Sequence, residues 1–125
     1  MGLFAWWGSS GNGTTRSLQL GSNLSLFILV NLFTVEPVDV DALLKAWVQD
    51  ANGMKRQPGC ISTQLHRGIA GSCVFLNYAV WESVAHFRVA FTHPEIARAL
   101  DAYPSSAVAQ PYLFSRVAVL NLCAA

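Results

Sequence analysis

Charged side chains are scarce in this sequence, at 12% of 125 residues where a globular domain carries about a quarter. The eight Lys and Arg are scattered and the formal net charge is +1, which excludes the basic footprint of a nucleic-acid binder. Cysteine is also rare. Cys60, Cys73 and Cys123 form an odd set with no Cys-x-x-Cys spacing and no histidine partner, so they read as reduced thiols of a cytoplasmic protein, filling space in the core rather than binding metal. No long hydrophobic run is present: residues 24–33 are interrupted by Ser25 and Asn31, whereas a membrane helix needs roughly 20 apolar residues. Residues 1–7 lack a basic n-region and a cleavage site, and Trp6 stands where a myristoylation motif requires Ser or Thr. A glycine loop able to cradle a cofactor phosphate is missing too, as are a metal-ligand cluster, an acid pair and an activated nucleophile, so no cofactor is expected.

Apolar residues, in contrast, make up 53% of the chain, more than a single domain of this length needs for its core. Some apolar surface is therefore expected to be hidden in a homodimer. Residues 1–23, with Gly-Ser-Ser-Gly-Asn-Gly and Gly21-Ser22-Asn23, read as a flexible N-terminal extension, leaving one domain over 24–122. Within it, 24–35 is apolar on both alternating faces, as a central strand would be, and ends at Glu36-Pro37. Asp39 is placed to cap a helix whose apolar positions Val40, Leu43, Leu44, Trp47, Val48, Ala51 and Met54 keep three-and-four spacing. Its polar face would hold Asp41, Lys45, Gln49, Asp50 and Lys55. After Pro58-Gly59, strands follow at 61–66 and 73–81 around a turn at Gly68 and Gly71-Ser72. Helix is expected from Glu82-Ser83 through Phe91 and again over 94–102, with His93 serving the second start, and a fourth strand over 112–122 after a loop through Pro111. Strand, helix, strand, strand, helix, strand is the order of an α+β ferredoxin-like split βαβ fold (βαββαβ), an antiparallel sheet with its helices on one face.

Three residues stand out from these strands. Asn31 lies in the first, and Asn77 and Trp81 in the third, among Val, Leu, Ile, Phe, Tyr and Ala. A buried primary amide needs a partner. The topology makes the first and third strands neighbours, so the two asparagines should be adjacent. Asn77 and Trp81, four residues apart, share a face at roughly 13 Å, a separation suited to a broad, flat ligand. Asn31 shares parity with Leu29 and Phe33, and Asn77 with Phe75 and Trp81; both sets are expected on the face that the helices leave open, although alternation fixes the grouping and not the direction. A structural reading also exists, since a strand Asn can bridge a bulge and a strand Trp can simply pack.

Over residues 24–119 the segments Leu29-Val30-Asn31-Leu32-Phe33-Thr34-Val35, Gln57-Pro58-Gly59-Cys60-Ile61 and Asn77-Tyr78-Ala79-Val80-Trp81-Glu82-Ser83, followed by Phe87-Arg88, resemble the antibiotic biosynthesis monooxygenase family of the dimeric α/β-barrel superfamily. The resemblance implies a homodimer with sheets packed face to face and a pocket in each protomer between sheet and helices. It also implies oxidation of anthrone-type aromatic substrates by molecular oxygen without flavin, haem or metal. Asn31, Asn77 and Trp81 match an asparagine on the family's first strand and an Asn-x-x-x-Trp pair on its third, whereas Phe87 stands where some members have tyrosine.

Neutral amide and indole donors suit such chemistry, because the conjugate base of an anthrone carries its charge on oxygen. Asn31 and Asn77 are the candidates for binding the carbonyl or enolate, and Trp81 for hydrogen bonding and stacking. His66, Phe87, Arg88, Tyr78 and Tyr112 are further candidates for substrate binding, with Arg67 and His86 as weaker neighbours. A haem-degrading oxygenase of the same superfamily is disfavoured because residues 96–102 offer no histidine ligand. A non-catalytic dimeric small-molecule binder is the other alternative.

Overall fold

The computed structural model describes residues 26–124, and the expected extension over 1–23 lies outside them. Four strands form one antiparallel sheet in the order β2-β3-β1-β4: β1 (Phe27–Thr34), β2 (Cys60–Arg67), β3 (Val74–Trp81) and β4 (Val108–Phe114). Three helices, α1 (Val40–Lys55), α2 (Val84–Phe91) and α3 (Pro94–Asp101), cover one face. This is the expected split βαβ arrangement, with the two apolar strands β1 and β3 at its centre.

The two ends of the covered face are packed by separate aromatic groups. At one, Phe87 of α2 meets Phe27, Trp81 and Phe91 edge-on, with ring centroids 5.4–5.6 Å apart. At the other, Phe33 stacks on Tyr103 at 5.3 Å, above Leu43 and Phe75. The β1–β3 register pairs Phe27 with Trp81 and Phe33 with Phe75, which sets Asn31 directly opposite Asn77 between the two groups.

Local chemistry explains the connections. Ser83 caps α2 by accepting from the His86 backbone N–H, and the His93 ring accepts from the Glu95 N–H at the start of α3. Gly59 has φ +91°, and a Cβ there would meet the His86 side chain at 2.4 Å, so only glycine fits the turn into β2. Gly53 is buried where α1 approaches α3; a Cβ would lie 2.9 Å from Ile96 Cδ1.

Four expectations are corrected. Asp39 holds the N-cap position of α1 as expected, but its side chain does not make the capping bond: it ends a 3-10 turn, Pro37–Asp39, and its carboxylate accepts from the Ser106 hydroxyl at 2.7 Å, tying that turn to the segment before β4. The fourth strand spans Val108–Phe114 rather than 112–122, and Pro111 lies inside it, because an edge strand tolerates a residue without an N–H. A bulge between Cys60 and Ser62 leaves Ile61 exposed instead of half-buried and turns both Cys60 and Thr63 toward the helices. Of the three cysteines, Cys60 and Cys73 are half-buried, but Cys123 is exposed rather than in the core.

Candidate active site

Between the two aromatic groups the sheet and helices enclose a small cavity of about 30 Å³. β1 contributes Leu29 and Asn31, β3 contributes Asn77, Ala79 and Trp81, and α1, α2 and α3 roof it. The expectation that Asn31, Asn77 and Trp81 face the side left open by the helices is thus overturned. Their parity partners Phe27, Leu29, Phe33, Phe75 and Ala79 carry the bulk that the helices bury, and the polar residues go under the helices with them.

Trp81 is buried and its indole N–H has no hydrogen-bond partner, and the amide oxygen of Asn31 is buried in the same condition. Asn77 is held differently. Its side-chain oxygen accepts from the Thr63 hydroxyl at 2.9 Å and from the Trp47 indole N–H at 3.3 Å. With its oxygen engaged twice, Asn77 keeps its NH2 group as the donor available to a ligand. Thr63 and Trp47 therefore decide which way the amide faces, and Trp47 is more than part of a helix stripe.

Asp50 was expected on the polar face of α1. The structure instead places it in the cavity wall, where one carboxylate oxygen, Oδ2, accepts from the Tyr103 hydroxyl at 2.8 Å and the other, Oδ1, is buried with no partner. Burial raises the carboxyl from 3.8 to about 6, against the lowering effect of the Tyr103 hydrogen bond. The phenol of Tyr103 is pushed well above its ordinary value by burial and by the adjacent carboxylate, so it keeps its proton and donates. Burial also pushes up the Cys60 thiol in the same wall, and Lys55 partly opposes that rise. The sequence did carry a signal for Asp50: it is three residues after Trp47 and four before Met54, on the apolar stripe itself.

The other candidates fall in different places. Phe87 lines the cavity beside Trp81. Arg88 is half-buried on α2 and is not among the lining residues. His66, Tyr78 and Tyr112 are on the opposite, open face, paired across the sheet with Leu76, Gln64 and Val30. Arg67 serves the β2–β3 turn, its Nε donating to the Ser72 carbonyl at 2.6 Å with the guanidinium over the Phe75 ring. His86 meets Ser83 Oγ at 2.7 Å at the exposed start of α2.

The fold recurs in solved structures. The cofactor-independent oxygenase SnoaB from Streptomyces nogalater aligns with a TM-score of 0.67 and 24% identity, over 78% of this chain and 98% of SnoaB. A candidate monooxygenase from Shewanella loihica aligns at 0.65 with 28% identity, over 76% of this chain and 97% of that one. The Pseudomonas aeruginosa protein PA3566 aligns at 0.65 with 17% identity, over 77% and 98%. No curated protein matches the sequence. Residues 26–102, which include all of β1 to α3 and hence most of the cavity wall, match the antibiotic biosynthesis monooxygenase family, and the chain belongs to that family.

Proposed function

We propose that this domain is a cofactor-independent monooxygenase that oxidises an anthrone-type or related phenolic aromatic substrate with molecular oxygen, and that it works as a homodimer. The observation that carries the reading is the cavity itself: apolar and aromatic walls enclosing the unpartnered Trp81 N–H, the unpartnered Asn31 amide oxygen and the oriented Asn77 amide. Membership of the family and the likeness to SnoaB support it.

The chemistry asks little of the protein beyond binding and charge stabilisation. Loss of a proton from the methylene carbon of an anthrone leaves an electron pair delocalised onto its oxygen. The charge is shared among the oxygens of the aromatic system: the Trp81 N–H and the Asn77 NH2, roughly 13 Å apart along the strand, donate to different ones, and the unpartnered amide oxygen of Asn31 accepts from a neighbouring hydroxyl. The anion gives one electron to oxygen, the carbon radical and superoxide join in a C–O bond, and protonation gives a hydroperoxide. Loss of the second methylene proton with cleavage of the O–O bond leaves a quinone carbonyl and water. In total CH2 + O2 becomes C=O + H2O, with both oxidant and proton balance supplied by the substrates. Phe27, Phe87 and the helices shield the charged intermediate from bulk water.

The dimer reading rests on the other face of the sheet, where Val74, Tyr78, Val108, Tyr112 and Phe114 remain 36–53% exposed. An apolar face of that extent fits a second sheet. On this reading Tyr78 and Tyr112 serve the subunit contact rather than the substrate. Among the described residues no helix is long and apolar enough to cross a membrane.

Aerobic and anaerobic incubation with anthrones, naphthols and hydroquinones, following oxygen uptake and product mass, tests the proposal. Quinone formation only with oxygen and without added cofactor is expected. Ligand-dependent thermal stabilisation with no oxygen uptake would identify a binding domain instead.

A further inference from the structure

We propose that Asp50 is the general base of this site, taking the proton from the substrate carbon or hydroxyl onto its free carboxylate oxygen. The inference rests on the oxygenase reading above and adds the group which that chemistry otherwise leaves to solvent. Its basis is geometric. Asp50 is the only charged side chain lining the cavity among the described residues, and it shares that cavity with the two donors assigned to substrate oxygens. One of its oxygens is fixed by Tyr103, and the other is buried and unpartnered. A carboxylate held by one oxygen, with the second buried and unpartnered in the cavity wall, is pre-oriented for proton transfer.

The surroundings suit the role. Burial sets the carboxyl near 6, so it is ionised at neutral pH yet far more basic than an exposed aspartate. Tyr103, reaching in from the connection between α3 and β4, cannot supply the proton's destination because its own phenol stays protonated. Cys60 of β2, the other titratable group of the wall, has its thiol raised by burial and is neutral when Asp50 is charged. β1 and β3 face Asp50 with amides, indole and hydrocarbon only, and the ion pair between Arg56, just after α1, and Glu95 of α3 lies on the exposed side of those helices. In the step itself the C–H bond breaks, its electron pair passes into the ring system and onto the oxygens held by Trp81 and by Asn77, and the proton goes to Asp50 Oδ1. Asp50 returns that proton to the peroxide formed with oxygen, ending the cycle ionised.

The test is the pH profile of kcat/KM for oxygen uptake by the full chain with an anthrone, from pH 4.5 to 9. The wild type is expected to rise with pH along a limb with an apparent pKa near 6. Asp50→Asn should lose at least about 100-fold in kcat with KM within about threefold, and should lose the limb. Tyr103→Phe keeps the ring stacked on Phe33 but removes the hydrogen bond that lowers the Asp50 pKa, so its limb should move to higher pH while the high-pH plateau persists. That variant also decides the matter if Asp50→Asn does not fold. A wild-type profile retained in Asp50→Asn, or an unmoved limb in Tyr103→Phe, overturns the role of Asp50 and leaves the oxygenase reading standing. A wild type that takes up no oxygen with any member of the aromatic panel removes the oxygenase reading, and the base role with it.

Discussion

The two faces of the sheet are made by the same central strands and are almost equally apolar, yet they have opposite fates. On the covered face, Phe27, Leu29, Phe33, Phe75 and Trp81 are all buried by the chain's own helices. On the other, Tyr78, Tyr112 and Phe114 remain substantially exposed. Polar residues are distributed accordingly. Asn31 and Asn77 sit in the middle of the covered face, opposite each other and under helices, where an unmet polar group costs most. The open face carries its polar groups at its periphery, with Gln64 and His66 on β2 and Gln110 on β4. Buried polarity at the centre of one face and exposed hydrophobicity over the other underlie the proposed ligand site and the proposed subunit contact respectively.

The comparison breaks most severely at Phe87, which joins Phe27, Trp81 and Phe91 on the covered face. Phe87→Ala should cost about 3–5 kcal/mol of stability, read as a fall in the urea midpoint, because the cluster cannot close around the lost ring.

Asp50 sharpens the contrast through pH. Its folded-state pKa of about 6 lies above the ordinary 3.8, so the folded form binds more protons than the unfolded chain in that window. The protonated carboxyl's contribution is therefore fully present below about 4 and is lost as pH rises through about 6. Relative to Asp50→Asn, the wild type should lose about 3 kcal/mol between pH 4 and 8, from the conversion of about 1.4 kcal/mol per pH unit. Parallel unfolding curves of the two proteins across that range would show that Asp50 is not buried as described.

On the open face, Tyr112→Lys should leave the circular dichroism spectrum intact and weaken dimerisation by about 2 kcal/mol, measured by sedimentation equilibrium. A wild type that stays monomeric at micromolar concentration would remove the proposed contact. Least affected of all should be a chain lacking residues 1–22, whose Gly- and Ser-rich sequence lacks sustained periodicity; a melting temperature within a few degrees of the wild type is expected.

The meeting of Asn31 and Asn77 is legible in the sequence, because the split βαβ order fixes which strands are neighbours. Alternation could not say which face they take, since the central strands are apolar on both sides and only the packing of α1 to α3 distinguishes them. Pro111 was misleading for a related reason: whether proline ends a strand depends on the strand's place at the sheet edge. Ile61 fell outside the period because one bulged residue resets the alternation. Asp50 was hidden by its residue type, which suggests a solvated face, although its spacing from Trp47 and Met54 places it on the buried one. Its partner Tyr103, 53 residues later, became visible only through the tertiary contact.

The central claim, that the polar groups of the covered face stabilise an anionic aromatic during its oxidation, is tested most directly by turnover of Trp81→Phe on an authentic substrate. The variant keeps an aromatic ring against Phe87 and deletes the one buried donor of the cavity that, among the described residues, has no protein partner. A fall in kcat of about 10²–10³, or about 2.7–4 kcal/mol, with the oligomeric state unchanged is the predicted result. Wild-type kcat in the variant would contradict the claim and make Trp81 a packing residue.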